Sequence, residues 1–165
     1  MKNKLLNFFL AIAMFFAIAL NADAAINSQS DIYAKANSVK KLAEYDYTAL
    51  IGKTELIGYR LNSFNFSATQ YKNNAYQTYE ALNNINSQID VVRNSSDFSD
   101  SDKQLQINKL YQDANTALYD LDSKTMTYVY SLRNFLPSIS FSRYSKKFLD
   151  FYNSQKITEN EIVVK

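Results

Sequence analysis

An all-α fold, an antiparallel helical bundle with three long helices and a shorter C-terminal one, follows from three features of this 165-residue sequence. Glycine and proline are scarce, at 2 and 1, where average usage would give about 12 and 8. Turns and strands lean on those residues, so the chain must be built from few, long elements. Apolar residues recur at three- and four-residue steps over long stretches, which is the helical period. Capping-box spacings punctuate those stretches, at Ser28–Asp31, Ser67–Gln70 and Ser101–Gln104.

The first 24 residues read as a secretory leader. Lys2 and Lys4 precede an apolar run from Leu5 to Leu20, and Ala22 and Ala24 supply the small residues of a cleavage site. The run is short for a bilayer span of about 20 residues, so cleavage after Ala24 is expected, with an uncleaved anchor as the alternative. The division that follows is a signal peptide over 1–24, a helical bundle domain over 25–156 and a flexible tail over 157–165. The tail has no helical period. The expected location is exported, periplasmic or extracellular. Abundant Asn, Lys, Ile and Tyr fit an AT-rich bacterial genome.

The first long helix is expected to start at Ser28. Its stripe is Tyr33, Ala36, Lys40, Ala43, Tyr47, Leu50, Thr54, Ile57, Leu61 and Phe64, with a second edge at Val39, Leu42, Ala49 and Leu56. Gly52 and Gly58 fall inside it, where close packing of a neighbouring helix would account for them and a hinge is the alternative. A break is expected over Asn62–Phe66, with Ser67 capping the second helix. From there Tyr71, Ala75, Thr78, Leu82, Ile85, Ile89 and Val92 keep strict steps of four and three. After a polar link over Asn94–Ser99 comes the element on which the bundle turns, Asp100 to Leu136, ended by Pro137. Its seam, Ile107, Leu110, Ala114, Ala117, Leu121, Tyr128 and Phe135, is close to a coiled-coil heptad. A last helix over about 140–153 carries Phe141, Tyr144, Phe148 and Phe151.

Composition restricts the chemistry. There is no His and no Cys, which removes Ser–His and Cys–His nucleophiles, thiolate metal sites, disulfides and histidine haem ligation. Asp97, Asp100 and Asp102 fail as a calcium loop, since Leu105 and Tyr111 stand where Gly and Glu are needed. They suit helix capping instead. Asp113, Asp120, Asp122, Glu80 and Asp90 lack the His partners of di-metal bundles. Ser38-Val-Lys-Lys41 matches a Ser–Lys spacing that common residues meet by chance. No catalytic residue, metal or cofactor is expected.

The formal charge is +2, and beyond the leader 16 basic residues face 15 acidic ones. That is no nucleic-acid footprint. The charges are segregated, however. From Ser95 to Asp122 there are six acidic and two basic residues, and from Ser123 to Lys147 five basic and none acidic. Helix-dipole complementarity accounts for this distribution. A docking patch at Arg133, Arg143, Lys146 and Lys147 is the functional alternative. Tyrosine is abundant, at 13. Tyr45, Tyr59, Tyr76, Tyr79, Tyr119 and Tyr130 lie off the stripes, where rings with wet hydroxyls suit an interface.

The expectation is a non-enzymatic exported bundle acting as a protein-interaction module, adaptor or chaperone-like, in the cell envelope. The partner-binding residues expected are Arg133, Arg143, Lys146 and Lys147 with Tyr76, Tyr79, Tyr119 and Tyr130. The partner is another envelope or extracellular protein, with homo-oligomerisation an option, no nucleic acid, and membrane contact only through an uncleaved leader. The alternatives are a bundle that holds a small ligand, or an oligomeric structural or surface protein.

Overall fold

Ser28 starts the first helix as its sequence spacing predicts. Its hydroxyl accepts from the Asp31 amide at 3.2 Å, and the Asp31 carboxylate accepts from the Ser28 amide at 2.9 Å. In the computed structural model, which describes residues 25–51, 56–136 and 138–155, helix α1 runs Gln29–Glu44. A 3-10 turn follows at Tyr47–Leu50, then α2 at Gly58–Asn94, α3 at Asp100–Ser131, a 3-10 turn at Leu132–Asn134, and α4 at Ser138–Gln155. The molecule is an all-α, four-helix bundle, with no strand among the described residues. The expected leader over 1–24, the expected tail over 157–165, Gly52 and Pro137 lie outside the described residues.

Helix lengths differ from expectation. Two helices are long, 37 and 32 residues, and two are short, 16 and 18. The first stripe does not continue to Phe64. Asp46 accepts from the Thr48 amide at 3.0 Å and caps a new turn. Tyr47 then folds back, and its hydroxyl donates to the Leu42 carbonyl at 2.8 Å. That carbonyl is one of those a helix end leaves without an internal donor. The buried face of α1 is also rotated by one position. Ile32, Ala36, Val39 and Leu42 are buried, while Tyr33 is half-exposed and Lys40 is exposed. The edge read as secondary is the core edge, because Ile, Val and Leu gain more by burial than Tyr and Lys.

Gly58 is not a packing glycine inside a helix. It opens α2 with φ +56°, and a Cβ placed there would meet nothing within 4 Å. Backbone conformation, rather than space, calls for glycine. The break expected at Asn62–Phe66 does not occur, since Phe64, Ala68 and Tyr71 carry the buried register straight through it. Ser67 is therefore no cap. Its hydroxyl lies 2.8 Å from that of Ser131 on α3. The whole expected second-helix stripe, Tyr71 to Val92, is buried.

The α2–α3 hairpin is closed by Lys103, whose ammonium donates to the Arg93 carbonyl at 3.2 Å. The cap of α3 is Ser99, two residues before the expected Ser101. Its hydroxyl donates to the Asp102 carboxylate at 2.6 Å and accepts from the Asp102 amide at 3.2 Å.

By rise per residue α2 and α3 are about 56 and 48 Å long, against about 24 and 27 Å for α1 and α4. The two short helices share one side of the long hairpin. Helix α1 takes the half towards the 95–99 link, antiparallel to α2. Gln29 donates to Asp90 at 2.8 Å and accepts from Arg93, and Lys40 lies over the Tyr79 ring at 5.9 Å. Asn115 of α3 clamps the segment before α1, accepting from the Ile26 amide at 2.9 Å and donating to its carbonyl at 3.1 Å. Helix α4 takes the other half. Tyr144 donates to the Ile51 carbonyl at 3.1 Å, and Phe148 packs among Tyr47, Tyr71 and Tyr128.

The short helices meet where Tyr45 stacks on Phe151, with centroids 3.8 Å apart. A small hollow of about 30 Å³ there is lined by Val39 and Leu42 of α1, Leu118 and Leu121 of α3, and Tyr152 and Gln155 of α4. Removing the fully buried Phe148 ring from this junction would cost about 3–5 kcal/mol.

Candidate functional site

A helical hairpin has two long grooves, and among the described residues α1 and α4 occupy only one. The other is open at the end of the molecule away from the 95–99 link. Two adjoining hollows mark it. One, about 540 Å³, is lined by Tyr59, Asn62, Ser63 and Phe66 of α2 and by Phe135. The other, about 170 Å³, is lined by Tyr71, Asn74, Lys124, Thr127 and Tyr128. Ser67, Gln70 and Ser131 belong to both, so the hollows form one groove.

The helical period explains its lining. On α2, positions 63, 67, 70 and 74 follow steps of four and three beside the core stripe, and they are Ser, Ser, Gln and Asn. On α3 the facing positions 131, 127 and 124 are Ser, Thr and Lys. Ser131 donates to the Tyr128 carbonyl at 2.7 Å, which leaves the Ser67 hydroxyl to donate to Ser131. The Lys124 ammonium sits 2.6 Å from the Asp120 carboxylate, a partly exposed pair worth little by itself. Tyr59 and Phe66 are 84% and 65% exposed at the open end.

Beneath the groove lies an aromatic cluster. Tyr71 and Tyr128 stack with centroids 5.1 Å apart. Tyr47 meets both edge-on at 5.7 Å. The Tyr71 hydroxyl is 2.8 Å from Thr125 Oγ1, which itself donates to the Leu121 carbonyl at 2.8 Å, so Tyr71 is the donor. The Tyr128 hydroxyl is buried and has no hydrogen-bond partner among the described residues. Burial raises all three phenols well above the ordinary tyrosine value, and mutual charge repulsion adds to it for Tyr47 and Tyr128. These groups stay protonated at neutral pH, and Tyr47 and Tyr71 act as donors, to the Leu42 carbonyl and to Thr125.

The residues singled out from sequence do not form one surface. Tyr76 and Tyr79 are neighbours on α2, 6.1 Å apart, with Tyr79 half-buried beside α1. Tyr119 is exposed on α3, eleven residues from Tyr130, or about 16 Å along the helix. Arg133 lies over the rings of Tyr130 and Phe141 at 5.4 and 5.0 Å, bridging the end of α3 to α4. Arg143, Lys146 and Lys147 do share one exposed face of α4 by their spacing. Lys146 pairs there with Asp150 at 3.7 Å, and Lys147 lies over Tyr144 at 5.6 Å. Tyr45, also read as off the stripes, is packed on Phe151.

The sequence points to Ser67 and Gln70 as a helix cap and to Ser63 as part of a break, not to a groove. Their steps of four and three with Asn74 stand beside the apolar stripe, where polar residues suit a solvated face. Among the described residues no group of three His, Cys, Asp or Glu could hold a metal ion, and no helix is long and apolar enough to cross a membrane. Comparison with known protein families, with curated proteins and with solved structures gives no match.

Proposed function

We propose that this protein is an exported recognition module of the cell envelope or extracellular space, acting by binding rather than turnover. Its working surface is the open end of the α2–α3 groove. The observation that carries this reading is the pairing of exposed Tyr59 and Phe66 with a groove left open among the described residues directly beside them. Isolated exposed apolar residues are ordinary, but aromatic rings grouped at the mouth of a hollow mark binding surfaces. Export is supported by the Lys2-to-Ala24 leader pattern, and non-enzymatic action by the lack of His and Cys.

The test is site-specific photocrosslinking in cells that make the protein. A photoreactive phenylalanine analogue replaces Tyr59, Phe66 or, as the control, Tyr119. Adducts are expected from the first two positions and not from the third. Equal adducts at all three, or none at positions 59 and 66, would remove this surface from consideration.

A second reading rests on Arg143, Lys146 and Lys147, three cations at steps of three and four on α4. That face suits an acidic segment of a protein partner, as an adaptor would use. Changing all three to Glu should then abolish adducts formed from neighbouring α4 positions while leaving those from Tyr59 intact.

A further inference from the structure

We propose that the pole of the bundle formed by the start of α2, the end of α3 and the start of α4 docks on a bilayer surface that carries anionic phospholipid. The inference rests on the reading that this end of the bundle recognises something, and it names the partner.

The pole has an apolar tip. Ser67 lies opposite Ser131, so the nine residues of α2 before it, about 13 Å of helix, project past the end of α3 at Ser131. Tyr59 and Ile57, 84% and 81% exposed, are the two most exposed large apolar side chains among the described residues, and both stand at this projecting end. Phe66 is one heptad on from Tyr59, on the same face of α2 and about 10 Å further back.

Around the tip the charge has one sign. The stretches 56–66, 130–136 and 138–149 carry Arg60, Arg133, Arg143, Lys146 and Lys147, all exposed, and no carboxylate. Asp150, just beyond, holds Lys146 at 3.7 Å, an exposed pair of little weight. The opposite pole, over 90–103, carries four aspartates against Arg93 and Lys103. The molecule thus has a basic end with an apolar point and an acidic end.

Helix-dipole complementarity does not account for the basic end. Helices α2 and α4 both begin there, and a helix start favours carboxylates. Neither has an acidic residue in its first turn, and Arg60 is the third residue of α2. A cation set against the dipole is explained by an anionic surface outside the chain.

The shape selects a bilayer over an acidic protein. The five cations belong to three elements around the tip, namely α2, the 132–134 turn and α4, so one rigid face of a partner would not meet them all. A lipid surface is fluid and surrounds the tip on every side. It also receives the tip, because tyrosine favours the membrane–water boundary and exposed apolar side chains seat about 5–10 Å into it. The long stems of Arg and Lys let their charged heads reach the phosphates from behind the tip.

The chain has no Trp, which permits a local test. Full chains carrying Tyr59→Trp, Phe66→Trp or Leu105→Trp are mixed with vesicles of phosphatidylglycerol and acyl-brominated phosphatidylcholine in equal parts, or with vesicles of the brominated lipid alone. In the mixed vesicles fluorescence should be quenched most at position 59, less at 66 and not at 105. The neutral vesicles should quench none of the three. In the Tyr59→Trp chain, Arg60→Gln, Arg143→Gln and Lys147→Gln should each raise the lipid needed for half-quenching about fivefold, and together about a hundredfold. Salt at about 1 M, where the screening length falls to about 3 Å, should abolish the quenching. The substituted side chains are exposed, so the helices remain as they are.

The proposal is overturned if position 59 is not quenched, if neutral vesicles quench it equally, if position 105 is quenched as strongly, or if the three glutamines leave the lipid requirement unchanged. Photocrosslinking from positions 59 and 66 that yields protein adducts, with no quenching by vesicles, would retain the recognition surface and discard the bilayer. No adducts and no quenching would discard the two together.

Discussion

Tyr71 and Tyr128 stack face to face across the α2–α3 seam, yet their hydroxyls stand in opposite circumstances. Tyr71 donates to Thr125, whereas Tyr128 finds no acceptor or donor among the described residues. Removing the two hydroxyls should therefore move stability in opposite directions. Tyr71→Phe is expected to cost about 1 kcal/mol, and Tyr128→Phe to gain about 1 kcal/mol, since the buried group it removes is unsatisfied. Urea denaturation reads this as midpoint shifts of opposite sign at constant slope. Shifts of the same sign would mean that Tyr128 is satisfied after all.

The buried phenols make the fold sensitive to alkali. Tyr47, Tyr71 and Tyr128 have their ionisation raised in the folded state, chiefly by burial, from an ordinary value near 10. Their contribution is complete below that value. As pH rises past it, the unfolded chain releases protons that the folded chain retains, and stability falls by about 1.4 kcal/mol per pH unit for each tyrosine. Helical circular dichroism in urea, measured from pH 9 to about 12, should show that decline. Tyr47→Phe loses the bond to Leu42 at every pH, but above the ordinary tyrosine range its slope with pH should be shallower by one tyrosine's share. An unchanged slope would mean that Tyr47 ionises in place.

Asn86 sits on the buried face of α2 with neither side-chain polar atom satisfied among the described residues. Its backbone carbonyl is used, accepting from Gln29 at 3.2 Å. Asn86→Leu keeps the branched four-atom side-chain skeleton and removes two stranded polar atoms, so it should stabilise the fold by about 1–3 kcal/mol. A rise in thermal midpoint is the expected readout. A fall would show that the amide is bonded in solution, by water or by residues beyond those described.

Gly58 gives a test with a sharp sign. In a regular helix, Gly→Ala stabilises by about 1 kcal/mol. Here φ is +56°, so Gly58→Ala should instead destabilise by about 1–2 kcal/mol, the cost of holding an L-residue in the left-handed region. Because a Cβ there meets open space, steric clash cannot contribute to the loss. Stabilisation would show that α2 begins differently in solution.

The long helices were legible because their buried positions repeat without a slip. Tyr71 to Val92 and Ile107 to Tyr128 needed only the period to be followed. The false break arose from Asn62, Ser63 and Asn65, a polar run that belongs to the less buried side of a continuing helix, while Phe64 and Ala68 carried the register beneath it. The end of α1 was not legible. It depends on Tyr47 turning back to Leu42 and packing against Tyr71, Tyr128 and Phe148, contacts made by residues far apart in the chain.

The groove was half-visible. Its polar side chains stand at helical spacing in the sequence, but whether such a seam is covered or open depends on which side of the hairpin α1 and α4 occupy. Position off an apolar stripe does not say that Tyr76 and Tyr119 face the same way.

Ile26 is tied to Asn115, and Gln155 shares its small hollow with Leu118. Both described ends of the chain thus meet the bundle at the waist of α3, some 13 to 16 residues, or roughly 20–24 Å, from Ser131. Any tether, whether a membrane stalk, a fused neighbour or a sensor surface, would begin at that waist. The rings of Tyr59 and Phe66 would stand clear of it, turned outward like the free end of a lever.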